Sequence, residues 1–596
     1  MPTTNDPLFT GAVCMSITVV GNTTYLPLSD PFCNTEACLA FAKAQKASQS
    51  AISYAHQFDY GHYTTWYYLA TLGVGIAIHI LRLYRNQSSH QPQGPPNQIT
   101  ATGHKVIALC RAVSYRSVGG LTAARWGFPK LGMLTFGIFT LVFFLLMTFL
   151  VHPYYRERRG YGSPPLAVRT GLMSTALIPL IVALSGKVNI VTWLTGISHE
   201  KLNIFHRWAS YLCLFLAIVH TVPFIVTPLQ NCGAAGLHAQ FYKPGAFEYT
   251  GVPPLGMLVG LCVLSVPIIR HRFYNFFYRV HVPMYVAFLG LMFWHSGNEM
   301  DSWAYLWATL AIWLFQVSGR LFAKWQTFNV HRSWFSGFST SLQKLPGEMV
   351  HVTLLVPIGL RWKPGQHCWL RMPHLSPLQN HPFTIANLPS QEVRTKSDIQ
   401  VMEFYIRAYN GLTRNLLQSV VDYSDRSVPM HVDGPYGGLN ENPPGQYESL
   451  VFVCGGSGIS ACMPHILYAL KASHQGSGVV KSIRLVWMVQ DRFHKEWITN
   501  MLKEASSLPG LLHLDVYITR PTKAVMSVSG TELELVLPQA KEMVSRTEES
   551  MNDISPQPEK TPEIWTVRHT RPYLPEILPP LLTERRTFVF GKGTIQ

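Results

Sequence analysis

Residues Leu131–Val151 read LGMLTFGIFTLVFFLLMTFLV, 21 residues without one charge. A run of this length matches the ~30 Å hydrocarbon layer of a bilayer. Inside that layer every backbone amide must find its partner within the segment, so the run must be helical. Six further apolar runs crowd the same half of the chain: Trp66–Leu81, Thr170–Leu184, Phe205–Val226, Gly251–Ile269, His281–His295 and Trp303–Phe322. The composition agrees. Charged residues are 13% of the chain, against ~25% in ordinary soluble proteins. Disordered, collagen-like and disulfide-dense classes are excluded on the same grounds.

A net charge of +16 then needs a location. With the N-terminus outside, the inner loops of a seven-span bundle hold Arg82, Arg85, Lys105, Arg111, Arg116, Arg125, Lys130, Lys187, Lys201, Arg270, Arg272 and Arg279. The outer loops hold Arg156, Arg158, Arg159, Arg169 and Lys243. This asymmetry is the positive-inside pattern, and it accounts for much of the basic excess without nucleic acid. It places the C-terminal half in the cytosol. Cys14, Cys33, Cys38 and Cys232 then face outside, enough for two disulfides with three possible connectivities. The sequon at Asn22 lies on the same side. No signal peptide is recognised at the start; either the first span acts as the signal or the natural start lies upstream.

Two spans carry the sharpest chemical pattern. His206 and His220 are fourteen positions apart, and so are His281 and His295. Fourteen steps of ~100° fall only ~40° short of four turns, so each pair shares one helix face, with a rise of about 21 Å. Ionisable residues inside spans default to function. One span intervenes, so the two helices run in the same direction. His206 can therefore face His281 near the inner side, and His220 can face His295 near the outer side. Two imidazoles fill both axial positions of a haem iron, giving an electron-transfer site with no open position for oxygen. The expectation is two stacked b-type haems. Arg207 and Arg279 flank the inner pair, as propionate partners or as ordinary inner anchors.

After Phe322 the texture changes. MVHVTLLVP, HCWLRM, MEFYIRAY and VPMHVDGPYGG alternate with Gly/Pro turns and predict a small antiparallel barrel. From Glu448 the order becomes strand, glycine turn, helix, strand, a βαβ unit with a parallel sheet. Gly455-Gly456-Ser457-Gly458-Ile459-Ser460 stands between the strand LVFVC and the helix ISACMPHILYAL. Glycines there let a pyrophosphate approach the helix N-terminus. Asp433–Gly438 reads as an interdomain link or a plain turn. A polar stretch at Lys541–Glu563 reads as a flexible insertion.

His381-Pro382-Phe383-Thr384, the two equal histidine gaps and LTGISHEKLNIFHRW at Leu194–Trp208 together resemble the fungal ferric reductases, membrane flavocytochromes related to the NADPH oxidases. The resemblance runs from about Thr170 to about Trp497. It implies a multi-pass helical bundle followed by a cytosolic ferredoxin-reductase-like module, a β-barrel plus an α/β domain. The implied divisions are an extracellular segment 1–64, a haem-binding domain 65–325, an FAD barrel 326–445 and an NAD(P)H domain 446–596. HPFT would line the flavin ring and ribityl chain. Gly411 and Thr413 would hold the flavin pyrophosphate at a helix entry, with Arg407 as counter-charge. Gly455, Gly456, Ser457, Gly458, Ile459 and Ser460 would hold NADPH.

The family's late Cys-Gly-Pro motif and final helix have no counterpart after the strand Arg586–Phe590, so the nicotinamide side is expected to be shortened. The implied activity is a plasma-membrane metalloreductase. Electrons would pass from NADPH through FAD and two haem b groups to extracellular ferric or cupric chelates or siderophores, with an iron permease as a candidate partner. Two alternatives share its parts: an oxidase that makes superoxide, and an inactive shortened relative. Equal histidine gaps favour the metalloreductase, because oxidases of this type have one residue fewer in the second gap.

Overall fold

A computed structural model describes residues 36–52, 54–88, 98–116, 130–157, 161–242, 247–327, 337–377, 379–390, 399–422, 428–439, 442–491, 494, 496–498, 511–519, 565–568, 572, 574–582 and 587–592. The chain forms two compact units that part between Leu321 and Phe322. The Asn22 sequon, Cys14, Cys33 and the insertion at 541–563 lie outside the described residues.

The first unit is helical. Its elements are α1 (Glu36–Ala51), α2 (Tyr54–Ser88), α3 (Gln98–Ser114), α4 (Leu131–Phe149), α5 (Pro165–Ala183), α6 (Ile190–Thr195), α7 (His199–Tyr242), α8 (Val252–Leu264), α9 (Pro267–Arg272), α10 (Tyr274–Ser296) and α11 (Ser302–Thr327). Among the described residues five helices are long and apolar enough to cross a membrane, and they contain five of the predicted runs. The run Gly251–Ile269 breaks into the 13-residue α8 and the short α9. Helix α11 covers the last run, and its apolar surface is interrupted by the buried Gln316, whose amide donates to the Val182 and Ala183 carbonyls at the end of α5. Helix α7 is kinked at Gly233, whose φ of 60° only glycine adopts cheaply.

Helix α5 is buried along most of its length and packs along α7, while α4 turns Ile138, Phe139 and Leu146 outward, as a lipid-facing helix does. Two expectations need correction here. Arg169 is not a loop cation. Pro164 and Pro165 preset the first turn, so α5 starts before the apolar run and takes Arg169 inside. There Arg169 is fully buried, donates to the Thr148 and Val151 carbonyls, and stands 5.9 Å and 5.8 Å from the Tyr60 and Tyr154 rings. It neutralises the carbonyl end of α4, where a helix dipole favours a cation. Arg156 does the same for α1, donating to the Ser48 and Ile52 carbonyls. The second correction is α3, a helix within a stretch read only as inner loop; its Val106, Leu109 and Val113 are exposed. Cys38 is disulfide-bonded.

The second unit has two parts. Strands β1 (Thr340–Leu345), β2 (Met349–Pro357) and β5 (Ile399–Arg407) form one antiparallel sheet in the order β1-β2-β5. Strands β3 (Gln366–Arg371), β4 (Asn380–Thr384) and β6 (His431–Gly437) form another, in the order β4-β3-β6. The two sheets enclose Val350, Val352, Leu354 and Val356 of β2, whose period of two sends them all inward. Helix α12 (Leu412–Asp422) closes the barrel with Leu412, Leu416 and Val420, one face at a spacing of four.

A five-stranded parallel sheet follows. Its strands are β7 (Ser449–Gly455), β8 (Ser482–Val489), β9 (Leu512–Ile518), β10 (Trp565–Arg568) and β11 (Thr587–Lys592), in the order β10-β9-β8-β7-β11. Strand β7 is buried almost throughout, as parallel strands covered on both faces are. Helix α13 (Pro443–Gln446) leads into it, α14 (Ile459–His474) packs on it through Cys462, Met463, Ile466 and Ala469, and α15 (Leu574–Leu581) precedes β11. The late strand expected at Arg586–Phe590 is β11. It runs through Lys592 and pairs parallel with β7.

Candidate redox sites

Helices α7 and α10 bring the four histidines together in the expected pairs. The His206 and His281 ring centres are 6.4 Å apart with planes at 69°, and those of His220 and His295 are 6.2 Å apart at 74°. Two imidazoles on opposite sides of one metal, with bonds of ~2.0–2.1 Å, place their ring centres roughly 6.3 Å apart. Both pairs have that separation. Among the described residues no group of three or more metal-ligating side chains exists. An axial pair needs only two, because the porphyrin supplies the other four nitrogens.

Three of the four far nitrogens are held in the way that suits ligand histidines. His206 Nδ1 donates to the Ile181 carbonyl at 2.8 Å, and His220 Nδ1 to the Ala167 carbonyl at 2.7 Å. Both carbonyls belong to α5. His295 Nδ1 lies 2.9 Å from Thr250 Oγ1. His281 Nδ1 is buried and has no hydrogen-bond partner among the described residues. Glycines make room for the outer rings. A Cβ on Gly171 would stand 2.6 Å from His220 Nδ1, and one on Gly251 would stand 2.9 Å from His295 Cε1. Thr250, Gly251 and Gly171 carry no sequence signal of their own; they matter only because distant segments meet these rings.

The inner pair opens on a small cleft lined by both rings and by Arg207, Tyr211, Cys262 and Tyr285. Arg207 Nε and Tyr285 Oη are buried there without hydrogen-bond partners among the described residues. Orphaned buried donors cost ~1–3 kcal/mol each. A guanidinium and a phenol in one apolar cleft fit a bound carboxylate, such as a haem propionate. Arg279, the other residue flanking the pair, is exposed and does not line the cleft.

In the second unit, His381, Pro382, Phe383 and Thr384 form most of β4, an edge strand bonded only to β3. An edge accepts Pro382, which donates no ladder bond. Phe383 packs partly on the barrel core, and partial burial lowers the pKa of His381 from its ordinary value. Gly411, at φ 61°, turns the chain from β5 into α12. Thr413 serves that turn: its Oγ1 accepts from the Tyr409 amide at 3.0 Å.

Gly455 ends β7, Gly456–Gly458 make one 3-10 turn, and α14 begins at Ile459. Gly456 has φ 51°, and Ser460 Oγ donates to the Ser457 carbonyl at 2.9 Å. The Trp487 indole donates to the Gly456 carbonyl at 3.0 Å. Beneath the loop, burial raises the Cys454 thiol well above its usual range, so it stays protonated beside Cys462. Arg407 stands against this loop: Nη2 donates to Gln490 Oε1 at 3.3 Å, and a Cβ on Gly456 would lie 3.6 Å from its Nη1. The flavin-side residue of the sequence reading thus borders the nucleotide loop as well. Gln490 had no sequence signal.

Three family models match the chain in order. They are a ferric reductase like transmembrane component over residues 170–292, an FAD-binding domain over 335–440 and a ferric reductase NAD binding domain over 447–578. A probable cell surface ferric reductase, kap2, from Aspergillus oryzae is 36% identical across 70% of this chain and 56% of its own length. The ferric/cupric reductase transmembrane component 7 of Saccharomyces cerevisiae is 31% identical across 80% of this chain and 75% of its own. A probable ferric reductase transmembrane component of Candida albicans is 26% identical across 62% and 51%. The chain therefore spans a little over half of the first relative and three quarters of the second. With three family models in order and a relative matched over most of both chains, this chain belongs to the family of fungal ferric reductase transmembrane components.

Proposed function

We propose that this protein carries electrons from cytosolic NADPH across the plasma membrane to extracellular ferric or cupric chelates. The observation that supports it most is the repeated 6.2–6.4 Å imidazole pair on α7 and α10, at two levels of one bundle. When bound, FAD supplies conversion of a two-electron hydride donor into single-electron steps, and two b-type haems supply one-electron carriers. His206 with His281, and His220 with His295, hold the irons. Ile181, Ala167 and Thr250 keep three of these rings turned with Nε2 outward. Arg207 and Tyr285 hold an inner carboxylate.

In the second unit, Phe383 offers a flat apolar face to the flavin and Thr384 a hydroxyl. The amide end of α12 at Gly411 and the glycine turn at Gly455–Gly458 receive pyrophosphates. Arg407, between the two, supplies positive charge to either.

The test is ferric-chelate reduction at the surface of intact cells, with and without His220→Ala. Loss of activity in a normally expressed variant is expected. Unchanged activity rejects the outer pair. Superoxide formed in step with NADPH oxidation, without chelate reduction, would assign the electrons to oxygen instead.

A further inference from the structure

The four candidate ligands differ at Nδ1. Among the described residues, His206 and His220 donate to backbone carbonyls, His281 has no partner there, and His295 alone is bonded to a side chain, Thr250. Thr250 is 2% exposed and lies in a 3-10 turn at Glu248–Gly251, just before α8. Its hydroxyl lies 2.5 Å from the Phe247 carbonyl, which can only accept, so the single proton of the hydroxyl is committed there. The contact to His295 must then run from Nδ1–H to Oγ1, and this fixes the ring's tautomer with the Nε2 lone pair free. The next residue, Gly251, completes the seat, because any Cβ there would strike the ring at 2.9 Å.

We propose that Thr250 is the positioning residue for the outer ligand His295, and that its hydroxyl lowers the redox potential of the metal bound there. The proposal rests on the reading of the two histidine pairs as haem ligands. An imidazole that donates from Nδ1 becomes a more basic ligand, and a more basic ligand favours the ferric state. Both outer imidazoles are anchored in this way and only one inner imidazole is. The outer pair therefore binds the lower-potential iron, the one that resists reduction more.

The test is an anaerobic redox titration of the b-type absorption in membranes, following the two components for wild type, Thr250→Val and Thr250→Ser. Valine keeps the shape and removes the hydroxyl; serine keeps the hydroxyl. In Thr250→Val the lower-potential component should rise, with about a tenfold higher ferrous-to-ferric ratio at a fixed poise near its midpoint, equivalent to ~59 mV for one electron. The other component should stay in place, and Thr250→Ser should titrate as wild type. Loss of one haem in the valine variant with retention in the serine variant also supports the role. Wild-type potentials in Thr250→Val, or equal haem loss in both variants, overturns it. A wild type without b-type absorption rejects the haem reading itself, and the proposal falls with it.

Discussion

In the helical unit the candidate groups are four imidazoles, and the backbone serves them: the carbonyls of Ile181 and Ala167 steady the rings, and glycines leave them space. In the C-terminal unit the relation is reversed. The glycine turn after β7 and the entry to α12 present amides, and side chains such as Thr413, Ser460 and Trp487 are used to hold those turns. The difference follows from the surroundings. A bilayer leaves no backbone amide free within a helix, so a ligand there must be a side chain. A soluble α/β domain has free amides at each helix start, so an anion can be held without any side chain.

The contrast is broken most severely by removing an imidazole. His206→Ala or His281→Ala should abolish one b-type component and reduce surface ferric reduction to background; a normal difference spectrum would contradict the pairing. Next comes Gly171→Ala, in which a new methyl occupies the place of the His220 ring at 2.6 Å. It should lose the outer component selectively, as read by haem content per chain.

In the other unit, adding a side chain should do the harm. Gly456→Val forces a branched residue to φ 51°, a conformation costing ~1–2 kcal/mol for L-residues. The expected result is roughly a tenfold higher KM for NADPH with bound flavin unchanged. A change in flavin content alone would assign the loop differently.

Smaller effects test the supports. Arg169→Met removes charge-assisted bonds to Thr148 and Val151, worth ~1.5–3 kcal/mol each before relaxation. It should lower the thermal inactivation temperature in detergent while leaving the spectrum of the surviving protein intact. The smallest concerns pH. The folded His381 binds a proton less readily than the unfolded chain does, because burial disfavours its charge. Its contribution is therefore complete above about pH 6.5 and declines as the pH falls below that. Flavin retention should weaken as the pH falls below about 6.5, and His381→Gln should flatten part of that slope, as followed by flavin fluorescence.

The histidine ladder was legible because a 3.6-residue period converts a spacing of fourteen into one face, and few other features place imidazole in apolar helices. The barrel and parallel sheet were legible for a similar reason: β2 alternates and β7 is continuously apolar. What could not be read was set by meetings of distant segments. Thr250 looks like any turn threonine until His295 arrives from 45 residues away. Arg169 looks like a loop cation until Pro165 starts the helix early and buries it against α4. Helix α3 was missed because its Lys105 and Arg111 counted towards the inner basic charge and the stretch was read as loop. Arg407 shows a middle case: its strand was clear, but its nearness to Gly456 depends on how the barrel meets the nucleotide domain.

The most direct test of the whole account is a reduced-minus-oxidised spectrum of membranes containing this protein, taken after anaerobic addition of NADPH. The account predicts two b-type haems per chain, both reduced by NADPH and both reoxidised by a ferric chelate. Absence of haem, or haem that dithionite reduces and NADPH does not, would contradict it.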